Sequence, residues 1–181
     1  KRPVYIELPR DMVHTVPPIS HAFRQSLWEP DLKATAEAAR EASTRIAQAQ
    51  QPIILAGVEL HRFALPDKLL ALAEKTGIPI ASTMLGKSVI SEHHPLYIGL
   101  YEGALGSDEV SAYVEQSDLM LLLGTFMTDI NLGIYSANID PERSIYATSE
   151  HLQISHHHYH NVMLDQFLDE LVELDLQPTS R

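Results

Sequence analysis

The sequence contains no cysteine, so disulfides, zinc–thiolate centres and cysteine nucleophiles are all excluded. Positive charge is scarce: 13 lysines and arginines stand against 24 aspartates and glutamates, a formal net charge of -11. A surface of that sign repels phosphates, so nucleic-acid binding is not expected. Long apolar runs are missing too, and nothing approaches the roughly 20 residues that cross a bilayer as a helix. No membrane partner is expected. The start carries no leader pattern, which makes the cytoplasm the expected location. No serine sits in a nucleophile elbow. Gly86-Lys87 lacks the upstream glycine of a phosphate-binding loop. There is no internal repeat and no low-complexity segment.

What is present fits one soluble domain with a tail: 181 residues, 45% hydrophobic and 20% charged. The chain is organised around Ser117 to Gly133, SDLMLLLGTFMTDINLG. Leu119 to Leu123 is an unbroken apolar run closed by Gly124. That pattern predicts a strand buried on both faces at the centre of a parallel sheet. Thr125, Thr128, Asp129 and Asn131 follow the strand, and the carboxyl edge of an open α/β sheet is where ligands sit.

Alternating elements surround that strand. Val4 to Leu8 reads as a strand between Pro3 and Pro9. Met12 to Pro30 reads as a linker, with Phe23, Leu27 and Trp28 as apolar anchors. Asp31 caps a helix to Gln50, whose inner stripe is Leu32, Ala36, Ala39, Ser43 and Ile46. Ile53–Ala56 is a strand ending at Gly57. Pro66 to Thr76 is a helix with Leu65, Leu69, Leu72 and Ala73 inward, stopped by Gly77. Ile78 to Ala81 is a strand, and Ser82 to Gly106 a long loop. Ser107 caps a helix to Gln116. Leu132 to Asn138 reads as a short helix and Ser144 to Ala147 as a strand. His151 to Val162 is irregular or strand, and Leu164 to Leu174 is the last helix. The expected fold is a three-layer parallel sheet of about six strands with helices on both faces.

The motif order carries a resemblance. PIILAG, then LAEKTGIPIASTMLGKSVISEHHPLYIGLYEG, then SDLMLLLGTFMTDINLG, then DPERSIYAT is similar to the central domain of thiamine diphosphate-dependent enzymes. Gly86, Lys87, Glu92, His94 and Pro95, the pair Gly99 and Gly103, and Asp129 with Gly133 carry it together. The likeness is greatest to the pyruvate and indolepyruvate decarboxylase branch. RPVYIELPRDMV resembles the end of that family's pyrimidine-binding domain and its linker. The resemblance implies a Rossmann-like central domain over 31–175, a preceding tail and linker over 1–30, and a polar tail over 176–181. It implies that thiamine diphosphate and magnesium are held by the pyrimidine-binding and diphosphate-binding domains of the parent enzyme, a homo-oligomer. The fragment itself is then expected to bind no cofactor and to be inactive alone.

In relatives that hold a flavin dinucleotide, the first strand is followed by three glycines. Here Gly57 is followed by Val58 and Glu59, and Glu59 would repel a diphosphate. Those relatives carry an arginine where Phe126 stands and a threonine where Leu132 stands, so the mouth is expected to lack its cation. The alternative is a nucleotide-binding domain holding FAD, NAD or ADP in the crevice of Gly57, Gly86, Gly124, Thr125 and Asp129. Asp129 would bind a ribose or a cation, or hold loop amides. His156, His158 and His160 would share one face of a strand and hold zinc or nickel adventitiously; their plain reading is a polar surface strand.

Overall fold

A computed structural model describes residues 4–16, 29–149 and 151–178. The core is one seven-stranded sheet in the order β3-β2-β1-β4-β5-β6-β7. β1 (Pro52–Ala56) and β4 (Leu119–Leu123) are central and fully buried. They pair in parallel, with Ile54 opposite Leu121. β2 (Ile80–Ser82) and β3 (Tyr97–Leu100) extend the parallel sheet on one side, and β5 (Ser144–Ala147) on the other.

The alternation of side chains explains the layers. Ile54, Ala56, Leu119, Leu121 and Leu123 face one core cluster; Ile53, Leu55, Met120 and Leu122 face the other. Successive strand residues point to opposite faces, so an all-apolar strand needs cover on both. The first face is covered by α1 (Leu32–Gln48), α2 (Val58–Arg62), α3 (Pro66–Thr76) and α5 (Leu164–Glu173). On the second face α4 (Asp108–Gln116) packs Val110 and Val114 against the sheet.

Asp31 caps α1: its Oδ1 accepts from the Lys33 and Ala34 amides, each at 3.0 Å. The buried stripe of α1 is Thr35, Ala38, Ala39, Ala42 and Ile46. The expected stripe is thus rotated by about one residue: Leu32 is exposed and Ala36 and Ser43 are only half-buried. The small residues let α1 approach α5 closely. α3 keeps its expected limits, with Gly77 at its C-terminal cap. Ser107 stands at the N-terminal cap of α4 but its side chain makes no capping bond.

Several expectations are corrected. Val4 to Leu8 forms no strand: among the described residues none pairs with it, and Val4, Tyr5 and Ile6 are exposed. Phe23, Leu27 and Trp28 lie outside the described residues. The long loop contains β3, hidden in the sequence by Gly99 inside a half-buried edge strand. Leu132 to Asn138 is a chain of turns, not a helix, because Ile134 (φ 53°) and Tyr135 (φ 61°) are left-handed. The sheet is not wholly parallel. β6 (Leu152–Ile154) and β7 (His157–Tyr159) run antiparallel at one edge. The few residues between β5 and β6 are too short for a crossover, so the chain can only turn back. Among the described residues no helix is long and apolar enough to cross a membrane.

Candidate functional site

Strand order reverses direction between β1 and β4, since β1 leads outward to β2 and β4 leads to β5. The crevice outside the carboxyl ends at such a switch point is where this architecture binds ligands. Gly57 ends β1 and Gly124 ends β4. The Gly57 amide donates to the Leu123 carbonyl at 2.9 Å, and the Gly124 amide to the Ala147 carbonyl at 2.7 Å.

The structure brings Gly57, Gly86 and Gly124 together, but their bare faces are already covered: Gly57 faces Gly124, Gly86 faces the end of β1, and Gly124 faces Glu59 and Leu60. A Cβ at Gly57 would run into the Gly124 carbonyl. A Cβ at Gly86 would run into the Ala56 carbonyl and lie 3.0 Å from the Gly57 Cα. The backbone approach that glycine permits is therefore spent on chain-to-chain packing. Thr125 is fully buried, and its Oγ1 has no hydrogen-bond partner among the described residues. Its carbonyl accepts from the Tyr146 hydroxyl at 3.1 Å. Burial, and then the nearby Glu59 carboxylate, raise the Tyr146 phenol above its ordinary pKa.

Asp129 sits on the surface of the loop after β4, its Oδ1 2.9 Å from the Ile130 amide and its carbonyl accepting from Ile134 at 2.7 Å. Its loop-holding role is visible; it does not join the glycines. Asn131 does. Buried, it accepts from the Leu85 amide at 3.3 Å and donates from Nδ2 to the Phe126 carbonyl at 2.8 Å. It clamps the turn Met84–Gly86 to the exit of β4.

Two residues of the site, Ser149 and Arg62, are not singled out by the sequence, and Glu59 is expected there only as a repulsive charge. It is 5% exposed, and its carboxylate accepts from the Ser149 amide at 2.7 Å and the Ser149 hydroxyl at 2.6 Å. Ser149 lies 90 residues further along the chain, so no local pattern could connect the two. Arg62 corrects the expectation of a mouth without a cation: its guanidinium stands 5.1 Å from the centre of the Phe126 ring. The signal available was its place in the first turns after β1. Beside it, His61 Nε2 lies 3.3 Å from the Lys87 carbonyl, while the Lys87 ammonium pairs with Glu92 at 3.5 Å.

The histidines at the β7 edge separate. His156 lies in the turn, 3.5 Å from Glu142. The His158 ring stacks edge-on to His151 with centroids 5.3 Å apart, and His160 is exposed beyond the strand. β7 has only three residues, too few to hold all of them on one face. Its other side is tied to α1: Glu41 Oε2 accepts from the Tyr159 hydroxyl at 2.7 Å and lies 2.9 Å from His157 Nδ1. Among the described residues no three histidines or carboxylates gather as a cation site. An open cavity of about 320 Å³ lies on the second face, lined by Leu122, Met127, Leu132, Ala137, Ile139 and Tyr146.

Comparison with known proteins returns a family described as "Thiamine pyrophosphate enzyme, central domain", whose model matches residues 39–172. The chain is 32% identical over 181 residues to the indole-3-pyruvate decarboxylase of Azospirillum brasilense, covering 99% of this chain and 32% of that protein. It is 31% identical over 176 residues to pyruvate decarboxylase isozyme 2 of Saccharomyces cerevisiae, covering 96% of this chain and 31% of the relative. With the pyruvate decarboxylase of Hanseniaspora uvarum the identity is 29% over 175 residues, 95% of this chain and 31% of the relative. The chain thus spans about a third of the length of the curated relatives it matches.

Proposed function

Because the chain belongs to the thiamine pyrophosphate enzyme central-domain family, we propose that it is the non-catalytic scaffold of a thiamine diphosphate- and magnesium-dependent 2-oxo acid decarboxylase. The observation that carries this reading is the filling of the open faces of Gly57, Gly86 and Gly124 by the Gly124 carbonyl, the Ala56 carbonyl and Glu59, which leaves no bare backbone at these three glycines for an anionic ligand. Thiamine diphosphate with magnesium does not fit the described residues. The glycine faces are spent, and no group of three metal-ligating side chains gathers among them. No chemical step is assigned to this chain.

Its work is to space and hold the pyrimidine-binding and diphosphate-binding domains of the same enzyme. Residues 1–30 serve as the tail and linker of the first of these, 31–175 as the central domain, and 176–181 as a tail. Exposed apolar side chains in the turns after β2, β3 and β4 support such docking: Met84, Leu85, Leu105, Ile130, Ile134 and Tyr135. The parent is read as a cytoplasmic homo-oligomer, with neither nucleic acid nor membrane among its partners.

A second reading, a domain holding FAD, NAD or ADP, draws on Arg62 at the crevice mouth. The buried Glu59 carboxylate and the packed glycines stand against it. Two measurements test the proposal. The chain supplied with thiamine diphosphate, magnesium and 2-oxo acids should show no turnover above background; clear turnover rejects the scaffold role. Calorimetry with FAD, NAD and ADP should show no binding; micromolar affinity for any of them replaces the first reading with the second.

A further inference from the structure

A carboxylate as buried as Glu59 must be compensated by donors. Among the described residues its donors come from Ser149, the amide at 2.7 Å and the hydroxyl at 2.6 Å. Charge-assisted bonds of this kind are short and strong. Glu59 follows β1 and Ser149 follows β5, while β4 lies between those strands in the sheet. The side chain therefore crosses the end of β4. It passes directly over Gly124, where an added Cβ would stand 3.0 Å from the Glu59 Cβ.

The backbone beneath is equally committed. The Glu59 amide donates to the Gly124 carbonyl at 3.0 Å. α2 has only five residues, so it contributes little dipole to hold an external anion. The mouth nonetheless has the parts of an anion receptor: an amide and a hydroxyl on Ser149 and, at the end of α2, the Arg62 guanidinium over Phe126.

We propose that Glu59 is a built-in occupant of this receptor. Its carboxylate fills from within the chain the place that a phosphate or diphosphate would take, and so fixes the specificity of the crevice against nucleotides. The proposal rests on the cofactor-free reading above and gives it a cause. Positive charge and hydrogen-bond donors are present at the mouth, and the chain's own carboxylate has taken the donors.

The test is calorimetry of the 181-residue chain with inorganic pyrophosphate and with ADP. The wild type and Glu59→Gln, whose side chain keeps the same volume in the same place, are expected to bind neither. Glu59→Ala opens the mouth, removes a negative charge and frees both Ser149 donors. It should bind pyrophosphate at least tenfold more tightly than the wild type. A Glu59→Ala protein with native circular dichroism and no such gain overturns the proposal while leaving the scaffold reading intact. Wild-type binding of ADP overturns the scaffold reading and the plug together. Should Glu59→Ala not fold, Glu59→Ser, which shortens the side chain and keeps it polar, takes its place in the same titration; a folded Glu59→Ser protein that binds pyrophosphate no more tightly than the wild type overturns the proposal.

Discussion

Gly57 and Gly124 meet backbone to backbone across the switch point, and no side chain fits on Gly57 without displacing the Gly124 carbonyl. The contact joins the ends of the two central strands, whose pairing runs from Pro52–Leu119 to Ala56–Leu123. Gly57→Ala is expected to cost about 3 kcal/mol or more, because backbone on both sides must shift. Gly124→Ala should be similarly costly, since Gly124 holds φ at 64° and is crowded by Glu59. Urea unfolding followed by circular dichroism measures both. A loss below about 1 kcal/mol for Gly57→Ala would show that the strands part easily there.

Tyr101 is fully buried and its hydroxyl donates to Glu115 at 3.0 Å; the same carboxylate oxygen accepts from the Asn138 amide at 3.2 Å. Burial first, and then the Glu115 charge, raise the phenol pKa far above the ordinary value of 10.0. A raised folded pKa means stability that is complete below the unfolded value and lost as pH rises through the folded one. The wild type should therefore lose stability progressively above about pH 10. Tyr101→Phe should cost about 1–2 kcal/mol at pH 7 and flatten the alkaline decline. Urea midpoints between pH 8 and pH 11 report both effects. Parallel curves for the two proteins would mean that the phenol ionises without opposing the fold.

The parts of the fold that follow from local pattern were readable. β4 and β1 announce themselves as apolar runs closed by glycine, and α3 by Pro66 and Gly77 at its ends. β3 was hidden because Gly99 interrupts a strand only half-buried at the edge. The β6–β7 hairpin was blurred by histidines that satisfy either a strand or a turn. The site was readable only in its glycines. What else stands at the mouth depends on Ser149, which lies 90 residues beyond Glu59, and on the Arg62 guanidinium over Phe126. A carboxylate after a strand reads as a surface charge until the residue that buries it is known.

The start of α1 depends on one side chain. Asp31 Oδ1 accepts from the amides of both Lys33 and Ala34, while the Asp31 amide donates to the Asn161 carbonyl at 2.9 Å. Asp31→Ala leaves the two helix amides to water and should cost about 1 kcal/mol. Asp31→Asn keeps an acceptor at the cap and should cost less than half of that. Because α1 packs on α5, the loss should appear as a shift of the global unfolding midpoint. A separate early transition confined to α1 would contradict that coupling.

Asp140 gives the acid counterpart of Tyr101. Its Oδ1 accepts from the Glu142 amide at 2.9 Å, and its Oδ2 from Arg143 Nε at 3.0 Å. Arg143 in turn donates from Nη1 to the Ser117 carbonyl at 2.7 Å. The carboxylate thus steadies a turn that links the approach to β4 with the start of β5. The Glu142 amide bond, and then Arg143, hold its pKa below the ordinary carboxylate value. A lowered folded pKa contributes stability that is present above the unfolded value, about 3.9, and lost as pH falls through the folded one. Asp140→Asn keeps an oxygen for the Glu142 amide but removes the charge that Arg143 answers. The wild type should be the more stable protein at pH 6, and the difference should shrink as pH drops below about 4. Urea midpoints of the two proteins from pH 6 to pH 2.5 measure this. A difference that stays constant across the range would locate the effect of the substitution in packing and not in the ionised carboxylate.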